Sequence, residues 1–168
     1  MTSPSDFPTA YRRFLAPVRA KCRRLLGRTA AADDVAQEAF VRLWQSGPRL
    51  DGQTGTRTIM AWLYLTSTRL AMDVLRQRKR DAHDIAEGDA ELGSCASAPD
   101  EVMAARSMIV ALCNRIPADE VEAAILTRVD GLPQTQVALI LGVSERTVRR
   151  LLERFDERSA EVRKELMS

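Results

Sequence analysis

Gln134 to Arg154 reads QTQVALILGVSERTVRRLLER, and the placement of its small, turn and apolar residues predicts two short helices set against each other. Val137, Ala138 and Leu141 form the inner face of the first helix, with the small Ala138 allowing close approach. Gly142 follows, a residue that takes the left-handed conformation of a tight turn without steric cost. Val143 is then expected to plug the gap between the helices. Ser144 suits the N-cap, where a hydroxyl satisfies an orphan amide. The second helix turns Val148, Leu151, Leu152 and Phe155 inward and Arg146, Thr147, Arg149, Arg150, Glu153 and Arg154 outward. The spacing is that of a helix-turn-helix. Its outward face has the chemistry to meet phosphates and base edges in a major groove, arginine being suited to guanine.

Working outward, the helical periodicity begins again upstream, in a separate zone. One helix is expected from about Pro8 to Leu26, closed by Gly27 at the position a helix stop prefers. A second is expected from about Ala30 to Gln45, with Asp33 and Asp34 in the first turn, where the helix dipole favours anions. Its apolar stripe is Val35, Ala36, Ala39, Phe40, Leu43 and Trp44; Asp34, Gln37, Glu38 and Arg42 lie opposite. Pro48, Gly52 and Gly55 break the chain into a loop. A third helix, from about Thr58 to Lys79, places Ile59, Leu63, Thr66, Leu70 and Val74 at spacings of three and four and ends in the basic run Arg76, Arg78, Lys79 and Arg80.

Between the zones, Asp81 to Glu101 contains no lysine or arginine, while Asp81, Asp84, Glu87, Asp89, Glu91, Asp100 and Glu101 are acidic. With Gly88, Gly93, Ser94, Ser97 and Pro99 it reads as a flexible acidic linker. The expected architecture is therefore all-α: an N-terminal helical bundle over residues 8–80, the linker over 81–101 and a C-terminal helix-turn-helix domain over 102–168.

Composition removes other classes. Of 168 residues, 25 are Lys or Arg and 23 are Asp or Glu, so the formal charge of +2 gives no overall basic field and a nucleic-acid role must rest on charge distribution. Cys22, Cys95 and Cys113 are odd in number and widely spaced, and His83 is the lone histidine, so neither a disulfide framework nor a metal site is expected. Cys22 and Cys113 sit in apolar helical patterns and read as small core residues. The N-terminus has no signal-peptide pattern and the longest apolar run is too short to span a bilayer, which places the protein in the cytoplasm. There is no paired-carboxylate, nucleophile or Gly-rich phosphate motif, so no enzymatic activity and no cofactor are expected.

Taken together, the two halves resemble the extracytoplasmic-function group of sigma-70-type RNA polymerase sigma factors, over roughly Tyr11 to Glu157. The run DDVAQEAFVRLW, Asp33 to Trp44, is similar to the family's polymerase-binding helix. The resemblance implies that Asp34, Gln37, Glu38 and Arg42 dock on the clamp helices of the largest subunit of core RNA polymerase. WLYLTSTRLAMDVLRQRKR, Trp62 to Arg80, resembles the helix that engages the −10 element, and Asp51 to Thr58 the loop that captures a flipped base. By that match Asp51, Thr54, Thr56, Arg57, Arg69, Arg76 and Arg80 would contact the opened promoter. The helix-turn-helix resembles the −35 module, with Ser144, Arg146, Thr147, Arg149, Arg150 and Arg154 as the DNA-facing set.

The chain departs from relatives in carrying Thr68-Arg69 where many have Arg-Asn, and Arg146 where a small residue is common. Pro133 replaces a common serine, harmless in a helix's first turn. Tyr64 and Trp62 have rings able to stack on opened bases, although burial in the bundle is the competing role for Trp62. An anti-sigma factor is a common partner in the family; no feature of the sequence encodes one, and no small-molecule substrate is implied. The alternative is a stand-alone helix-turn-helix regulator that binds duplex operator DNA unaided. Core-polymerase binding separates the two.

Overall fold

The computed structural model describes residues 7–46, 56–85 and 100–167, all helix or short turn. Seven α-helices follow in order among the described residues: α1 (Phe7–Leu26), α2 (Ala30–Ser46), α3 (Thr56–Ile85), α4 (Asp100–Arg115), α5 (Ala118–Ala124), α6 (Gln134–Leu141) and α7 (Glu145–Met167). A five-residue π-helical segment, Ile125–Val129, continues α5. The all-α expectation is met, with an N-terminal bundle and a C-terminal helix-turn-helix unit. Of the linker expected over residues 81–101, residues 86–99 lie outside the described residues; its ends are helical rather than extended, Asp81 to Ile85 prolonging α3 and Asp100 and Glu101 opening α4.

The N-terminal helices close as their periodicity demands. From α1, Phe14, Val18, Cys22, Leu25 and Leu26 are buried; from α2, Ala32, Val35, Ala36, Ala39, Phe40 and Leu43; from α3, Ile59, Leu63, Leu70, Ala71, Met72 and Leu75. Gly27 ends α1 at φ 77°, and its amide donates to the Arg23 carbonyl at 3.0 Å. Arg23 donates to both oxygens of Asp33 at 3.1 and 3.2 Å, tying the end of α1 to the first turn of α2. Several positions differ from the sequence reading: Thr66 and Val74, expected on the buried face of α3, are half-buried. Trp44, placed in the apolar stripe of α2, is 45% exposed, its ring edge-on to Phe7 at 5.1 Å. Trp62 is only half-buried against the core.

α3 is covered on a second side. Cys113, Ile116, Val121 and Ile125, from α4, α5 and the π segment, belong to the same apolar cluster as α1, α2 and α3. Ser67 and Thr68 of α3 are fully buried, and both hydroxyls donate to the Tyr64 carbonyl, at 3.1 and 2.8 Å. A smaller core of Ala123, Ala124, Leu126, Val137, Ala138, Val148, Leu151 and Leu152 holds the helix-turn-helix together. The two halves thus pack face to face, α3 lying between them.

Candidate nucleic-acid interface

The helix-turn-helix is built as its sequence dictates. Pro133 precedes α6 with φ −65° and ψ 150°, and its carbonyl accepts from the amides of Gln136 and Val137. Gly142 closes α6 in the left-handed region, φ 68°. The Ser144 hydroxyl accepts from the Thr147 amide at 3.1 Å and shares a hydrogen bond with the Thr147 hydroxyl at 2.9 Å. The Ser144 hydroxyl therefore caps α7, with the Thr147 hydroxyl bonded to it. Val143 is 38% exposed rather than a plug between the helices, while Ala138 and Val148 belong to the core that joins them.

α7 presents Arg146, Arg149, Arg150 and Arg154 on one exposed face, and no ion pair engages any of the four among the described residues. Arg146, Thr147, Arg149, Arg150 and Glu153 line an open cleft of about 340 Å³. Unpaired guanidinium groups at this density repel one another, and an anionic partner relieves that repulsion. Arg128 and Asp156 form an ion pair at 2.6 Å farther along, with Arg128 over the Phe155 ring, which holds α7 against the π segment.

The outward face of α2 carries Asp34, Gln37 and Arg42 exposed and Glu38 half-exposed, with Arg42 donating to Glu38 at 2.9 Å. Helical spacing sets Val41 and Trp44 on that same face, each 45% exposed. The sequence reading missed both. An aromatic ring and an aliphatic side chain ringed by polar groups have the composition of a protein-docking surface.

The candidate −10 residues are placed differently. Asp51 and Thr54 lie outside the described residues, as do the side chains of Thr56 and Arg80. Arg57 is exposed, at one end of a cleft of about 390 Å³ between α3 and α6 lined also by Met60, Tyr64 and Leu139. Arg69 is engaged: its guanidinium donates to Glu122 of α5 at 2.8 and 3.3 Å, bonds that raise its pKa. Arg76 donates to the Cys113 carbonyl at 3.0 Å. Both guanidinium groups thus have protein partners, although that of Arg69 remains 59% exposed.

Near the middle of the interface, Lys21 of α1 forms an ion pair with Asp130, both side chains without solvent exposure. Arg24 takes the other Asp130 oxygen at 2.9 Å, and the Lys21 ammonium lies 5.1 Å from the centre of the Tyr64 ring. Burial lowers the Lys21 pKa, and Asp130 only partly opposes that. The sequence carries one signal for this site: Lys21 falls in the stripe Phe14, Val18, Lys21, Leu25, where an apolar residue is expected.

Residues 10–81 match the family described as sigma-70 region 2, and residues 117–162 match the homeodomain-like domain. The ECF RNA polymerase sigma factor SigL of Mycobacterium tuberculosis is 32% identical over 128 residues, covering 75% of this chain and 71% of that protein. The chain belongs to the extracytoplasmic-function sigma factors. SigW of Bacillus subtilis is 38% identical over 66 residues, 39% of this chain, and the probable sigma factor RfaY of Xanthomonas campestris 32% identical over 144 residues, 82% of this chain. The matched stretch spans 34% of the length of each of these two relatives. The sigma factor RpoE of Bartonella quintana, solved in complex with the anti-sigma factor NepR, shares the fold at a TM-score of 0.56, with 24% identity over 95% of this chain and 97% of that one. In this extracytoplasmic-function factor, α2 and most of α3 fall within the region 2 match, and α5, α6 and most of α7 within the homeodomain-like match.

Proposed function

We propose that this chain binds core RNA polymerase and promoter DNA and directs promoter-specific transcription initiation. Its domains on this reading are residues 8–80 for core and −10 binding, 81–101 as acidic linker and 102–168 for −35 binding. The observation that carries the reading is a capped recognition helix with four unpaired arginines, on a chain whose α2 offers Trp44 and Val41 amid Asp34, Gln37, Glu38 and Arg42. Arg146, Arg149 and Arg150 lie in the first turns of α7 and read base edges; Arg154, a turn further on, holds backbone phosphate. α3 supplies Arg57, Arg69 and Arg76 to the opened strand, with Asp51, Thr54 and Thr56 before it. The factor works in the cytoplasm and without catalysis of its own; no helix among the described residues is long and apolar enough to cross a membrane. A protein of the anti-sigma class, the partner of the Bartonella neighbour, is the inhibitor this reading implies.

Region 2 similarity over residues 10–81 favours an initiation factor over a stand-alone operator-binding regulator. The test is reconstitution. Core polymerase plus this chain is expected to start transcription from a sequence-defined subset of a promoter library on which core alone is silent. Failure to bind core, with duplex DNA bound by the chain alone, would establish the regulator instead.

A further inference from the structure

Between Glu145 and Asp156, α7 carries a single carboxylate, Glu153. It lies on the face of the arginines and lines the open cleft of about 340 Å³ together with Arg146, Thr147, Arg149 and Arg150. Helical spacing sets Arg149 and Arg150 one turn before it. Even so, no ion pair or hydrogen bond engages the exposed Glu153 side chain among the described residues. Other carboxylates beside arginines are committed: Glu38 to Arg42, Glu122 to Arg69 and Asp156 to Arg128. The order of the charges gives the reason. On α2 the glutamate precedes its arginine by four residues, the orientation that pairs well; on α7 Arg149 precedes Glu153, the weaker one. Glu153 thus keeps its acceptor oxygens free in the middle of a cationic face.

A free carboxylate weakens the attraction of this face for every phosphate. It gains only where the partner offers N–H groups. In the major groove, which admits a helix, those are the amino groups at cytosine N4 and adenine N6. The two bases differ in what stands beside the donor. Adenine carries the N7 acceptor next to N6, which sets a lone pair against the carboxylate, whereas cytosine has no acceptor there. Guanine, the partner of cytosine, presents O6 and N7, the acceptors that arginine takes. A cleft that holds Arg149, Arg150 and Glu153 therefore matches the donor and acceptor pattern of a G·C pair, read on both strands. We propose that Glu153 is a specificity-determining residue of α7, accepting a hydrogen bond from cytosine N4 and so selecting a cytosine in the upstream element. The inference rests on the reading of α7 as the helix that meets duplex DNA, and it names a base that this reading leaves open.

The test uses the full chain with core polymerase on a promoter library randomised over the upstream element, and the chain alone on random-sequence duplex DNA by anisotropy. Wild type is expected to select cytosine at one position. E153A is expected to lose roughly tenfold discrimination there and to keep its other preferences. It should also bind random duplex more tightly, because a charge that repels phosphate is gone. E153Q is the decisive variant. A carboxamide both accepts and donates and matches N6 and N7 of adenine, so the preference at that one position is expected to move from cytosine to adenine. A residue that only shaped the helix would move no single position. Equal loss of preference at every position in both variants overturns the proposal. So does E153A binding all sequences more tightly with every preference intact, which would make Glu153 a brake on non-specific binding. Failure of the underlying reading looks different: wild type then selects no upstream element at all, and both readings fall together. If wild type selects an element that R149A or R150A relaxes while E153A and E153Q leave it whole, the role of Glu153 alone falls.

Discussion

Removing the Asp130 carboxylate is the sharpest perturbation the interface offers. In Asp130→Ala the Lys21 ammonium keeps only the Tyr64 ring, 5.1 Å away, and no solvent reaches it. Breaking one side of a buried ion pair costs about 3–5 kcal/mol, because the remaining charge stays desolvated. The second ion pair, from Arg24, adds little, since that guanidinium is 44% exposed and such pairs contribute about 1 kcal/mol at most. With a urea slope of about 2 kcal/mol per molar, the midpoint would fall by about 2 M.

The chain has an escape, because separating the halves rehydrates Lys21 without unfolding α1. If separation costs less than the desolvated charge, the variant opens instead. Its midpoint then moves less, and the amides of α4 and α5 exchange faster than those of α2. Urea unfolding and hydrogen exchange on the same sample read both routes. The companion variant Lys21→Met with Asp130→Ala removes both charges and is expected to recover most of the loss. A single variant within about 0.5 kcal/mol of wild type, the range of an ordinary surface change, with unchanged exchange in α4 and α5, would refute the reasoning. So would a double variant no more stable than the single one.

The remaining predictions concern the candidate surfaces and the buried thiols. Trp44→Ala together with Asp34→Lys is expected to weaken core-polymerase binding at least tenfold, about 1.4 kcal/mol, with helicity unchanged by circular dichroism; wild-type affinity in a titration with labelled core removes α2 as the docking face. Alanine at Arg146, Arg149 or Arg150 should each cost about 1–3 kcal/mol and relax preference at one position of the upstream element, whereas Arg154→Ala should weaken all sequences alike in salt-dependent binding assays. Ser144→Ala should lose about 1 kcal/mol of thermal stability through the uncapped Thr147 amide. Burial raises the Cys113 thiol from 9.0 to about 11. Its contribution is therefore fully present below pH 9 and lost as pH rises through about 11, up to about 3 kcal/mol at about 1.4 kcal/mol per pH unit. Lys21, lowered by its burial, acts in the opposite sense in that range, so the comparison to make is the pH slope of unfolding in Cys113→Ala, which should be flatter than wild type.

What the sequence made legible was local. Gly27 and Gly142 end helices, Ser144 begins one, and the three- and four-residue spacings of α2 and α7 name most of their buried residues, because each feature is decided within one or two turns of chain. The face of α3 was legible only in part. Ile59, Leu63 and Leu70 are buried as expected, but Ser67, Thr68, Ala71 and Met72 are buried too. A helix packed on two sides has no single stripe for periodicity to find. Lys21 and Asp130 are 109 residues apart and Arg69 and Glu122 are 53 apart; no local spacing encodes such pairings. Trp44 was misplaced for a related reason. An aromatic at the border of a stripe fits either side, and Phe7, at the other end of the N-terminal half, decides which.

A net charge of +2 conceals the distribution that matters for function. On α3 and α1, Arg69, Lys21 and Arg24 are each met by a carboxylate from the C-terminal half. On α7, Arg146, Arg149, Arg150 and Arg154 are met by none among the described residues. Attraction between polyanionic DNA and protein scales with the cations free to displace counterions, and the four exposed arginines of α7 are such cations. Across the contact between the halves, a π turn and a left-handed glycine hold Asp130 against the one lysine of α1.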